Sequence, residues 1–167
     1  MAVKNLNDPK EYQEYMEAIA AKVKAIGHSD SEKHYIDADS VQISDNFRNL
    51  NSPAMIAMHI NSDMWRNGNA KREQLQVIFY IVVKKNTVSD SNSRSLAQLA
   101  KNIVYQVLAL MEKDLENEEL LGFELDNVNV NYLGWLQEDT DWLGYRVSFP
   151  IVFDARTNLS YNADNYN

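Results

Sequence analysis

The sequence predicts an α+β domain in which two amphipathic helices pack on one face of a mixed or antiparallel sheet, in the order α-β-β-β-α-β-β. Three observations predict it. In the run EQLQVIFYIVVKK, Leu75, Val77, Phe79, Ile81 and Val83 share one face, while Ile78, Tyr80 and Val82 make the other apolar as well. That is the pattern of a central strand covered on both sides. Two stretches, 9–26 and about 94–115, repeat apolar residues at helical spacing. Finally, residues 127–154 form two alternating runs around the short polar connector QEDTD, which reads as an antiparallel hairpin.

The first helix is announced by NDPKE: Asp8 as N-cap, Pro9 at the first helical position, and Glu11 where a capping box places its acid. Tyr12, Tyr15, Met16, Ile19, Ala20, Val23 and Ile26 then recur until Gly27, a C-terminal stop. After the polar link HSDSEKHYIDADS, the stretches 41–47 and 53–61 read as short strands, Pro53 standing at the entry of the second. MWRNGNAKRE reads as a loop around the turn signal Asn67-Gly68-Asn69. Beyond the central strand, Ser95 is the expected cap of the second helix, with Gln98 reaching back to it. Leu96, Leu99, Ala100, Ile103, Val104, Val107, Leu110 and Met111 form its stripe. In the hairpin, Val128, Val130 and Tyr132 alternate with Asn127, Asn129 and Asn131, and Tyr145, Val147, Phe149, Ile151 and Phe153 alternate with Arg146, Ser148 and Pro150. Residues 1–157 make one domain, and 158–167 a polar tail expected to order only against a neighbour.

Composition narrows the partners. With 167 residues, 45% of them hydrophobic, one sizeable core is expected. Sixteen Lys and Arg against 24 Asp and Glu leave a net charge of -8, which disfavours nucleic acid and anionic membranes. The absence of cysteine excludes disulfides, thiolate metal sites and a Cys nucleophile. MAVKNLNDPKEY has no apolar signal core and no run approaches the roughly 20 apolar residues of a membrane span, so a soluble, cytoplasmically made protein is expected.

Candidate chemistry is sparse. His28, His34, Asp37 and Asp39 could be recruited to a metal, yet six residues between the imidazoles match no zinc spacing, and a solvated loop is the better reading. His59, on a strand, has no partner in sequence and reads as a packed or edge residue. Glu138, Asp139 and Asp141 lack the calcium-loop pattern and read as an exposed acidic tip. No nucleophile elbow, phosphate loop, dinucleotide fingerprint or zincin motif occurs, so the expectation is a protein without enzymatic activity, metal or organic cofactor. Trp65, Trp135 and Trp142 leave two readings open: interface anchors, or, for Trp135 and Trp142, a cross-strand pair closing the hairpin.

The order α-β-β-β-α-β-β, carried by PAMIAMHI, the two-faced QLQVIFYIVV, the helix SLAQLAKNIVYQVLALM and the closing GYRVSFPIVFD, resembles the tail terminator (tail completion) and neck connector proteins of tailed bacteriophages over residues 35–155. The resemblance implies a non-enzymatic virion protein, assembled in the host bacterial cytoplasm, that forms a ring capping the tail tube or joining it to the head. Its partners would be copies of itself and tail-tube or portal-associated proteins. Ring closure needs two different patches per subunit. The hairpin with Trp135, Trp142, Glu138, Asp139 and Asp141 supplies one, and the segment Trp65, Arg66, Lys71 and Arg72 supplies a complementary other. The competing expectation is a small ligand-binding or enzymatic domain using residues 27–40 and the 137–141 tip.

Overall fold

A computed structural model describes residues 8–38, 49–58, 61–67, 70–85, 90–117, 127–135 and 141–154. Helix α1 (Pro9–Lys22) starts as its sequence dictates: the Asp8 carboxylate accepts from the amides of Lys10 and Glu11 at 2.8 and 3.1 Å, satisfying two of the free donors of the first turn. It ends earlier than residue 26. Val23 leaves the helical region with ψ of 102°, and the amides of Ile26 and Gly27 both turn back to its carbonyl. Gly27 closes this turn at a φ of 70°, where a side chain would be strained. Val23 and Ile26 are still buried, so the apolar spacing outlasts the helix that first sets it.

The remaining elements are β1 (Tyr35–Ala38), β2 (Ala54–Met58), β3 (Asn61–Asn67), β4 (Ala70–Lys84), α2 (Asp90–Glu116), β5 (Asn129–Trp135) and β6 (Trp142–Asp154). The sheet runs β1-β2-β4-β6-β5. The β1–β2 pair is parallel and the others antiparallel, so the sheet is mixed. Along this five-stranded path the chain order is α-β-β-β-α-β-β, the predicted succession in the predicted α+β class. Strand β3 is an addition, paired to β4 alone. It replaces most of the predicted loop at 64–73 with paired backbone. Ala57 pairs with Phe79 and Asn61 with Gln76, so three residues separate the two positions on the β2–β3 side where two separate their partners on β4, and the two registers differ by one residue. The predicted strand at 41–47, His59, Asp39 and the tail lie outside the described residues. The first strand after α1 is instead Tyr35–Ala38, within the polar link.

Both helices cover the same face of the sheet. Leu75, Val77, Phe79, Ile81 and Val83 of β4 and Val147, Phe149 and Ile151 of β6 are buried beneath Tyr12, Met16 and Ile19 of α1 and Ile103, Val104, Val107 and Met111 of α2. On the opposite face Ile36, Ala54, Ile56, Val82 and Trp142 form a smaller cluster with Leu50. Ile78 and Tyr80 of that face are only half-buried, so among the described residues the second cover is confined to one end. Helix α2 begins at Asp90, before the predicted cap. Ser95 is an exposed residue inside it, and Gln98 donates to Asn102 Oδ1 at 2.8 Å rather than reaching back to a cap.

Candidate functional site

The two histidines of the link are consumed by its own folding. His28 Nδ1 accepts from the His34 amide at 3.2 Å, which leaves Nε2 to donate to the Glu17 carboxylate at 3.2 Å. His34 is buried, and its Nδ1 donates to the Pro53 carbonyl at 2.6 Å. These bonds tie the link to α1 on one side and to the entry of β2 on the other, so the link is pinned where a solvated loop was expected. Among the described residues no three His, Asp or Glu side chains converge on a point that could hold a metal. A surface cleft of about 380 Å³ lies beside this link, with Glu14, Glu17, His28 and Asp30 in its lining.

Beneath the link sits a group of buried phenols. Tyr15 Oη donates to Asp114 Oδ2 at 3.2 Å, joining α1 to α2. Tyr35 Oη donates to the Gln13 carbonyl at 3.4 Å. Burial pushes the Tyr12 and Tyr35 phenols well above the ordinary tyrosine range, and the Asp37 carboxylate pushes both further. Such groups hold their protons and have no means of acting as bases near neutrality.

The predicted interface residues fall at two distant places. Trp65 pairs with Arg72 and Arg66 with Lys71 across the β3–β4 hairpin, and Asn67 pairs with Ala70. The basic residues therefore stand on two paired strands. At the other end of β4, Lys84 pairs with Trp142, and exposed Asp141 holds the Lys85 amide through its carbonyl at 2.6 Å. Glu138 and Asp139 lie outside the described residues. From Lys71 to Lys84 the strand advances 13 residues, about 43 Å at roughly 3.3 Å each.

Trp142 is 3% exposed, packed with Ile36, Leu50 and Val82, and the Lys84 ammonium lies 6.0 Å from its ring centroid. It is a core residue and not an interface anchor. Nor does it pair directly with Trp135, whose partner is Leu143 after a register shift between Tyr132 and Gly134. The aromatic pair of the hairpin is Tyr132 with Tyr145, rings 5.3 Å apart and inclined at 54°. Tyr132 is left half-exposed on a strand that has one neighbour in the sheet. The feature that sequence reading passed over is the outer side of α2, where Leu99 and Tyr105 are exposed. No protein-family model matches the chain, and no curated protein matches it either.

Proposed function

We propose that the protein is a non-enzymatic structural component of a bacteriophage particle, closing into a homo-oligomeric ring at the tail end or the head–tail neck. One observation carries this reading: Arg66, Lys71 and Arg72 of the hairpin and Asp141, just before β6, stand near opposite ends of the longest strand of the sheet. Heterologous, head-to-tail assembly requires two different and complementary patches placed apart on each subunit, and a repeated contact of that kind closes into a ring when its rotation permits. The resemblance in element order to tail terminator and neck proteins supports the same reading, as does the use of His28 and His34 for internal bonds in place of a reactive site. The ring would receive tail-tube or portal-associated proteins on its faces. Light scattering of the purified protein tests this. The expected result is a discrete oligomer; a monomer at every concentration, alone and with tail or neck partners, overturns the ring and favours a ligand-binding domain.

A further inference from the structure

We propose that His28 is a pH-operated latch: its neutral imidazole closes the neck of the loop at residues 29–33, and protonation of that ring releases the loop. The inference is independent of ring closure, which uses the two ends of the sheet. Residues 29–33 are all exposed, and the two ends of the loop are joined by the His34 amide, which donates to His28 Nδ1 at 3.2 Å. A ring nitrogen accepts only while it carries no proton, so the proton of the neutral ring sits on Nε2, against Glu17 at 3.2 Å. In the imidazolium both nitrogens are donors. Its Nδ1–H would face the His34 N–H, and the bond across the neck gives way to two opposed donors. Imidazoles change charge between about pH 5 and 8, so the latch opens on mild acidification.

Two histidines stand at this neck and one of them can act. His34 Nδ1 donates to the Pro53 carbonyl at 2.6 Å, a bond that the neutral and the charged ring both make, and its Nε2 lies 3.7 Å from Glu32, so charging His34 breaks nothing. The ionisable groups around His28 are Glu14 and Glu17 of α1, Asp30 of the loop and Tyr35 of β1. Tyr35, whose ring centroid is 5.8 Å away, stays neutral in this range because burial pushes its phenol upward. The three carboxylates favour a charged ring, but all are exposed, and water-screened pairs of that kind gain little. A part-buried amide turned against a donor loses more, so the broken bond decides the outcome. The surroundings hold while the neck opens. Ser29 and Glu32 exchange backbone hydrogen bonds within the loop, and beyond the neck the carbonyls of Lys33 and His34 hold the amides of Asn51 and Met55, both at 2.8 Å. None of these bonds uses a titrating atom. Ser29 and Asp30 line the cleft beside α1, so release of the loop also frees that wall of the cleft.

Amide hydrogen exchange followed by NMR on the full chain, corrected at each pH for the intrinsic exchange rate, is the test. The His34 amide is expected to be protected at about pH 7.5 and to lose that protection several-fold at about pH 5.5, while the Met55 amide, bonded to the carbonyl of the same His34, keeps its own. Ring nitrogen shifts of His28 should show the Nε2–H tautomer at the higher pH. His28→Asn places an amide oxygen where Nδ1 stood, an acceptor at every pH. It should retain the protection of the His34 amide and abolish its pH dependence, whereas His28→Ala should leave that amide unprotected at both pH values. A neutral ring carrying its proton on Nδ1, a pH-independent His34 amide in the parent, or full pH dependence in His28→Asn overturns the proposal. Loss of His34 and Met55 protection together also overturns it, because the sheet and not the latch would then be opening. Reversing the charges of the β3–β4 hairpin leaves the exchange pattern in place, which separates the latch from the ring.

Discussion

Tyr12 places its hydroxyl in the core with no hydrogen-bond partner among the described residues, and a buried polar group left unmet costs about 1–3 kcal/mol. Removing it keeps the ring that packs beneath the helices. Tyr12→Phe is therefore expected to raise stability by about 1 kcal/mol in urea unfolding; a loss of that size would mean the hydroxyl has a partner after all. The same residue gives an alkaline signature. Because the Tyr12 and Tyr35 pKa values are raised in the folded protein, the unfolded chain releases these protons first, near the ordinary value of about 10. Their contribution is complete below about pH 10 and drains away as pH rises beyond it. The urea midpoint should fall as pH rises above about 10, and less steeply in Tyr12→Phe. Gly144 is constrained differently. A Cβ there would overlap the Ile81 carbonyl oxygen and crowd Val82 Cα at 2.9 Å, both backbone atoms of the central strand. Gly144→Ala is expected to cost about 1–3 kcal/mol, and a melting temperature equal to that of the parent would show that β6 can move away.

Among the elements, β4 decides the fold, since β2, β3 and β6 all pair with it. Phe79 is fully buried beneath both helices, so Phe79→Asp should abolish cooperative unfolding by leaving an unpaired carboxylate in the core; a variant with a native melting curve would contradict the central place of this strand. Much of this was legible. The N-cap at Asp8, the two-faced run of β4 and the helical stripes each rest on local chemistry or regular spacing, which a chain displays without its neighbours. Strand β3 was not legible, because NSDMWRN shows no apolar alternation and its pairing changes parity: Met55 and Ala57 of β2 oppose odd positions of β4, whereas Ser62 opposes Leu75. Strand β1 hid in a polar link because four residues hold only a short apolar signal. The burial of Trp142 depends on Leu50, some 90 residues away in the chain, and no local pattern reports such a contact. For the proposed assembly surface, the basic and acidic segments were readable from composition, while the placement of Arg66, Lys71 and Arg72 at one end of β4 and of Asp141 at the other needed the register.

For the whole molecule, the separation of charge is the property to perturb. Reversing Arg66, Lys71 and Arg72 to Glu should weaken assembly about ten-fold or more and make its formation less sensitive to salt, as read by light scattering over a concentration series. Replacing Glu138, Asp139 and Asp141 by Lys in the same chain should recover part of the loss; equal assembly in parent and triple variant would remove these residues from the contact. The extra residue between Ala57 and Asn61 bears on how such a surface could change during descent. Deleting one residue there would bring β2 and β3 into a single register with β4 while every β3 position kept its side of the sheet, because its partners on β4 are unchanged. The edge beside the hairpin would change shape while the helix-covered core, which lies with β2, β4 and β6, would not. A lineage could in this way reshape the edge that carries the hairpin through one in-frame codon loss, with no substitution in the core.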